Sequence, residues 1–472
     1  MTAQSFSNPL TINGVEFKNR ILRSSIGGRT CNYDGTVTDV WKNFEKRFAE
    51  GGVGGIISTT FHVNSERLSP LQYPSIADGK FVPYLKKFIP AIQSAGGGCR
   101  YIVQIGDPGY TTYTSLFAEA RDAISSSNGF DAAFGYNNAR RMMTTEEIET
   151  SIQQYVDAAR RVQETGADGI EITATKGYLI HQFLNPGINR RSDEWGGDAD
   201  RRFLFLKKII EAIRAKLGRD YLLGVRLSGA DYNWSPPLLA LLRTPWPPLS
   251  IETYFGNEQA QMIDYANRLQ ELGVDYLHVV AGYGFPNPHD VPGEFPFDEI
   301  RMFFDSVRHL SCKAAVRASL MHFPASLLTR PLLSLGWDQR PEVNLPCASA
   351  FKHGTNLPVI ANGGFQRHAG IEHALQSGSC DMVSMARALI ANPSLVKVWH
   401  EGRLHEPSDK LELKPCSRCN KCVGRTTTSP LGCYDQGRFE SQKKMMDQIL
   451  EWNCADSLAD PDTACGSRPA WT

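Results

Sequence analysis

Eight short apolar runs, each followed by a stretch of helical character or a turn into the next element, constrain this 472-residue chain more than any other feature. In order they are NRILRSS (19–25), VGGIIST (53–59), RYIVQI (100–105), DGIEIT (168–173), YLLGVRLS (221–228), DYLHVVAG (275–282), LPVIANGG (357–364) and the start of CDMVSMARALIANPSL (380–395). Such runs suit parallel strands that are covered on both faces, and the segments between them are long enough for crossover helices. The clearest of those helices opens with Thr144 and Glu147 in capping-box spacing. It carries Ile148, Ile152, Tyr155, Ala159 and Val162 on one face and stops at Gly166. Eight alternations predict an α/β chain folded as a TIM (β/α)8 barrel over residues 1–405; a doubly wound open sheet is the alternative.

Charge narrows the function. Lys plus Arg and Asp plus Glu number 50 each, so no basic stripe offers itself to nucleic acid. No run reaches the ~18 to 20 apolar residues of a membrane span, and the N-terminus has no leader-like pattern. These features predict a soluble, cytoplasmic protein acting on a small molecule, with no nucleic acid or membrane partner; a homo-oligomer is compatible with them. Two insertions interrupt the barrel pattern. Residues 234–250, WSPPLLALLRTPWPPLS, hold five Pro and one charge, which excludes a regular element. They read as a lid, a partner surface or a mis-spliced stretch. Residues 312–340 are apolar but cut by Pro324 and Pro331, and read as a packing or dimer surface.

Polar residues at strand ends mark the candidate site, because the layers beneath them in a barrel are apolar. Gln104 ends the third run and Arg226 lies in the fifth; the fourth leads into TATKGY with Thr173, Lys176 and Tyr178. The loops after the seventh and eighth runs carry Gly363, Gly364, Ala386 and Arg387, where barrels commonly bind phosphate. Beyond the barrel, Cys416, Cys419, Cys422 and Cys433 are spaced C-x2-C-x2-C-x10-C in an extension, 406–439, that precedes a tail, 440–472. Four thiolates so spaced suit a [4Fe–4S] cluster or a structural zinc, and both stay open alongside no metal at all.

Taken together, NPLTINGVEFKNRILRSS, DGTVTD, EKRFAEGGVGGII, GYLIHQFLNPGINRRSDEWGGDADRR, NGGF, ARALIANPSLV and CSRCNKC resemble the old yellow enzyme family of NADH:flavin oxidoreductases. The resemblance is to the branch with 2,4-dienoyl-CoA reductase and trimethylamine dehydrogenase. It implies FMN at the C-terminal mouth of the barrel and NAD(P)H as co-substrate. Gln104 and Arg226 would meet the flavin pyrimidine edge, Ser25 and Ile26 the ring, and Gly363, Gly364, Ala386 and Arg387 the phosphate. The implied activity is ene-reduction; a flavin-dependent dehydrogenase or amine oxidase, and a catalytically impaired flavin-binding protein, are the alternatives. The family pattern of His, two residues, Asn or His, one residue, Tyr is here Thr173, Lys176 and Tyr178. Only the tyrosine, the family's proton donor, is retained. The residues after Cys433 are too few for further nucleotide-binding domains. That predicts a structural metal, or one serving a separate partner protein.

Overall fold

The computed structural model describes residues 5–69, 71–111, 123–129, 140–233, 256–284, 287–309, 312–403, 414–426 and 428–451. The insertion at 234–250 and the polar end of the tail therefore lie outside the described residues.

All eight predicted strands form. They are β1 (Ile21–Arg23), β2 (Gly55–Ile57), β3 (Arg100–Gly106), β4 (Gly169–Ala174), β5 (Leu222–Ser228), β6 (Tyr276–Val280), β7 (Val359–Asn362) and β8 (Met382–Met385). Each pairs in parallel with its neighbour in sequence, and β8 pairs with β1 through Val383↔Ile21 and Ser384↔Leu22, closing a TIM barrel. The crossover helices are stopped by local chemistry. Thr144 and Glu147 make the capping box of helix Thr145–Glu164, while Asp198 caps helix Ala199–Leu217, which ends at Gly218 with φ 79°.

Side chains on a strand alternate between faces, and here the two faces have different chemistry. The outward set, including Ile21, Ile56, Val103, Ile172, Val225, Val279, Ala361 and Val383, joins the large apolar core under the helices. The inward set divides along the barrel axis. Its lower layer is apolar: Leu22, Ile57, Ile102, Leu222, Tyr276, Ile360 and Met382 pack with Ile12 and Phe17. Those last two come from an antiparallel hairpin, Leu10–Ile12 with Val15–Phe17, that plugs this end. Two residues further along the same strands the interior turns polar, with Gln104, His278, Asn362 and Ser384 above Ile102, Tyr276, Ile360 and Met382. The barrel is thus a dry plug at one end and a polar floor toward the C-terminal mouth.

The segment 312–340 forms two short helices, Cys312–Leu320 and Ser326–Leu333. It leaves Phe323, Leu327 and Leu328 largely exposed. The predicted C-terminal helical piece is helix Gln442–Leu450, capped by Ser441. Among the described residues no helix is long and apolar enough to cross a membrane.

Candidate active site

A cleft opens at the C-terminal ends of the strands, and every barrel residue singled out in the sequence lines it. Ser25 and Ile26 follow β1, and Gln104 and Arg226 rise from the polar floor. Thr173 ends β4, with Lys176 and Tyr178 in the turn after it. Gly363, Gly364, Ala386 and Arg387 come from the loops after β7 and β8.

The floor is a continuous polar network. Gln104 Nε2 donates to Glu171 Oε1 at 2.6 Å, and Gln104 Oε1 accepts from Ser25 Oγ at 3.0 Å and from the Thr60 hydroxyl. The Glu171 carboxylate accepts from Tyr276 OH at 3.2 Å and from His278 Nδ1 at 3.1 Å. His278 Nε2 lies 2.8 Å from Ser384 Oγ, which also accepts from Asn362 Nδ2 at 2.9 Å. A neutral imidazole protonated on Nδ1 satisfies the whole chain. Burial lowers the His278 pKa, against the pull of Glu171. Burial acts to raise the Glu171 pKa, but His278, Arg226 and the Gln104 hydrogen bond hold it below its ordinary value. The floor therefore pairs a carboxylate, Glu171, with a guanidinium, Arg226. Both titration shifts have one sign. Stability from Glu171 and His278 is present above their unfolded pKa values and is lost as pH falls toward the folded ones. We expect the denaturant midpoint to fall progressively as pH is taken below about 6.5, the ordinary histidine value; a midpoint flat from pH 7 to pH 4 would contradict the assignment.

Arg226 is 6% exposed, and its Nε has no acceptor among the described residues. A buried, unsatisfied donor of this kind costs about 1 to 3 kcal/mol. The planar, acceptor-rich edge of a flavin would satisfy it, which is the first sign that these residues fit FMN. The second is the loop after β7. Gly363 and Gly364 have φ of 123° and 79°, and a Cβ on Gly363 would stand 2.6 Å from the Asn344 side chain. Only glycine fits there, leaving backbone open to a ligand's approach. Arg387 is partly committed elsewhere: its Nη1 donates to Pro292 O at 2.6 Å and to the Asn420 side chain.

The turn after β4 is locked from behind. The Gly177 N–H donates to His181 Nδ1 at 3.1 Å, which leaves Nε2 to donate to Asp231 Oδ1 at 2.8 Å. Gln182 Nε2 donates to Gly177 O at 2.7 Å. Together they hold Lys176 in the left-handed region, φ 62°, a conformation a lysine adopts only under such constraint. The Lys176 ammonium is ion-paired with Asp290, from the loop after β6. Burial, with Arg226 and Arg387 nearby, lowers the lysine pKa well below its usual range, and the Asp290 carboxylate opposes that by favouring the charged form. Burial raises the Tyr178 phenol above its ordinary value, and Tyr73, which lines the same cleft, acts against that rise.

Sequence reasoning missed Glu171, His278, Asp290 and Tyr73. The first two carried the same signal as Gln104, a polar residue at an inward strand position. The other two sit in loops whose reach is fixed only by the closed barrel.

Cys416 and Cys422 line the cleft wall, and together with Cys419 and Cys433 they also line a small cavity behind it. Arg418 and Asn420, at φ 56° and 57°, turn the loop back on itself. It is pinned to the barrel by Glu294 N donating to Arg418 O at 3.0 Å and by Asn420 Nδ2 donating to Glu294 O at 2.9 Å. Burial pushes the Cys433 thiol up to about 11 and raises the Cys422 thiol well above its ordinary value. The thiols gather without converging: among the described residues no three His, Cys, Asp or Glu side chains are close enough to share an ion.

Residues 5–237 match the model of the NADH:flavin oxidoreductase / NADH oxidase family. An NADPH dehydrogenase of Geobacillus thermodenitrificans (strain NG80-2) is 30% identical over 295 residues, covering 62% of this chain and 78% of the dehydrogenase. The chain belongs to this family. An NADH oxidase of Thermoanaerobacter brockii is 27% identical over 415 residues, 88% of this chain and 52% of the oxidase; the chain thus spans about half of that relative's length. Among solved structures, an old yellow enzyme homologue from Zymomonas mobilis superposes with a TM-score of 0.62 at 20% identity, covering 88% of this chain and 98% of that one. The likeness is one of fold, and it agrees with the family's barrel.

Proposed function

We propose that the protein is an FMN-dependent oxidoreductase that uses NAD(P)H to reduce the C=C bond of an activated, enone-like small molecule. The observation that carries this reading is a single cleft holding the unsatisfied Arg226 donor, the Gly363–Gly364 loop and the Tyr178 phenol. Gln104 and Arg226 would hold the pyrimidine edge of FMN, Ser25 and Ile26 its ring, and Gly363, Gly364, Ala386 and Arg387 its phosphate. The bound flavin supplies hydride transfer between nicotinamide and substrate.

The chain's own residues do the rest. Thr173 offers one hydrogen bond and Lys176 a charge to the substrate carbonyl oxygen, and both count most as that oxygen becomes negative. Asp290, ion-paired with Lys176, favours the charged ammonium against burial and the neighbouring cations. Tyr178 gives its proton to the α-carbon.

Stopped-flow kinetics test these roles. Lys176→Ala should slow the alkene half-reaction ~10²-fold or more while NAD(P)H oxidation falls far less, because the charge is needed only as the enolate develops. Tyr178→Phe should likewise impair the alkene step, within the ~10² to 10⁴-fold of general acid catalysis. Faster reduction by amines than by NAD(P)H would favour the dehydrogenase reading. Full FMN occupancy without turnover of enones, nitroalkenes, quinones or amines would favour a flavin-binding protein that has lost catalysis.

We assign the four-cysteine segment a structural part, as a clasp between Arg387 and the loop after β6. Cys419→Ser should lower the melting temperature and release any bound iron or zinc. The folded remainder should still show flavin reduction by NAD(P)H. An unchanged melting temperature with loss of electron transfer to an acceptor protein would assign the segment to a relay.

A further inference from the structure

The first three cysteines of the C-terminal extension are separated by pairs of residues, and one residue from each pair reaches into the barrel. Arg418 stands between Cys416 and Cys419, and Asn420 between Cys419 and Cys422. Both side chains are buried. Arg418 Nη2 donates to Gly364 O at 3.2 Å and Nη1 to Gln339 O, which ties the extension to the Gly363–Gly364 loop after β7. The segment that follows Gln339 packs on the same loop, since a Cβ on Gly364 would stand 3.3 Å from Arg340 O. Asn420 serves the other loop. Its Oδ1 accepts from Arg387 Nη1, after β8, while its Nδ2 donates to Glu294 O at 2.9 Å and Val291 O at 3.3 Å. Arg387 Nη1 also donates to Pro292 O, so among the described residues the guanidinium is fixed through one nitrogen, with Nε and Nη2 left for a ligand. The two loops that make the candidate phosphate site are thus held by residues lying between the cysteines.

Holding of this kind has a physical use. A phosphate is bound by several donors at once, and affinity depends on those donors being set at the right spacing before the ligand arrives. Neither loop can do this alone. Gly363 and Gly364 have the most backbone freedom to lose on being fixed, and an arginine side chain carries about 2 kcal/mol of rotamer entropy. Arg418 and Asn420 supply the constraint from outside both. We infer that they are positioning residues for the flavin phosphate, setting Gly364 against Arg387, so that the cysteine extension confers preference for FMN over riboflavin. This rests on the proposed function, and it goes further by giving the extension a part in cofactor choice as well as in stability.

FMN and riboflavin share the ring and differ by the phosphate, so the ratio of their dissociation constants isolates the phosphate site. The ring is assigned to Gln104, Arg226, Ser25 and Ile26, and no hydrogen bond of Arg418 or Asn420 reaches that set. Fluorescence titration of the full chain, stripped of flavin, reads both constants. Asn420→Gly removes the side chain, leaves the net charge unchanged and suits the φ of 57°. It should weaken FMN binding about tenfold, the lower end of what one hydrogen bond to a charged group supplies, and riboflavin binding no more than about twofold. Arg418→Lys keeps the charge, gives up the planar hold on two carbonyls, and should shift the ratio the same way.

The ratio decides because a merely structural part would lower the folded fraction and weaken both ligands alike. A ratio equal to wild type in both variants overturns the inference, even if their melting temperatures fall. Should Asn420→Gly fail to fold, the ratio in Arg418→Lys decides alone. A wild-type chain that binds both flavins equally has no phosphate site, which overturns the inference and leaves the ring contacts of the proposed function standing; one that binds neither flavin overturns both.

Discussion

Arg226→Ala is expected to yield a protein that loses FMN through purification, with affinity weakened by ~10- to 10²-fold. A charge-assisted contact is worth about 1.5 to 3 kcal/mol, and the side chain removed is one whose buried Nε has no acceptor among the described residues. A second loss compounds it, because Arg226 is also the counter-charge of Glu171. Without it the buried carboxylate is held by His278, Gln104 and Tyr276, and its pKa should rise toward the unfolded value. The stability Glu171 contributes at neutral pH should shrink, so the variant's deficit against wild type should narrow as pH falls and Glu171 takes up a proton. Arg226→Lys should keep the charge balance and lose mainly the planar, multi-donor recognition of the flavin. Fluorescence titration with FMN and denaturant curves at pH 5 and pH 8 separate the two effects.

The largest effect on stability should come from a pair just outside the cleft lining. Arg23, on β1, and Glu45, on helix Asp39–Glu50, form an ion pair with both side chains wholly buried. Arg23 Nη1 also donates to Ile57 O at 2.9 Å, and its guanidinium lies 5.4 Å from the centroid of the Phe48 ring. Burial pulls the arginine down to about 10. Glu45→Ala would leave that cation unpaired in an apolar setting, a loss of about 3 to 5 kcal/mol. Replacing both residues with apolar side chains of similar volume should cost much less, since the desolvation of two charges is then avoided. A double variant no more stable than Glu45→Ala alone would mean that the pair matters through packing and not through charge.

Much of this structure was legible in the residues, and the reason is periodicity. A strand buried on both faces is marked by a near-continuous apolar run, so seven strands could be placed to within two residues at each end, and the eighth at its start. A polar residue on an inward position interrupts that run, which exposed Gln104 and Arg226. Glu171 and His278 interrupt it in the same way, between Ile170 and Ile172 and between Leu277 and Val279. They form the floor that fixes the charge of the site. Loop residues carry no such signal. Asp290 reaches Lys176 from ten residues beyond β6, and Tyr73 and Tyr178 line one cleft only because barrel closure brings the β2 and β4 ends to one mouth. Cysteine spacing likewise showed that four thiols would gather behind the cleft, and could not show that their sulfurs would stop short of a shared ion.

The claim on which the account rests is that this cleft binds FMN and that NAD(P)H reduces it there. Anaerobic purification, followed by an absorbance spectrum, flavin and metal analysis, and addition of NADH and then NADPH, tests it most directly. The account predicts a yellow protein with a flavin band near ~450 nm, FMN released in a one-to-one ratio with the chain, and bleaching of the band by at least one of the two nucleotides. A colourless protein that takes up no FMN when it is supplied in excess would contradict the account at its foundation.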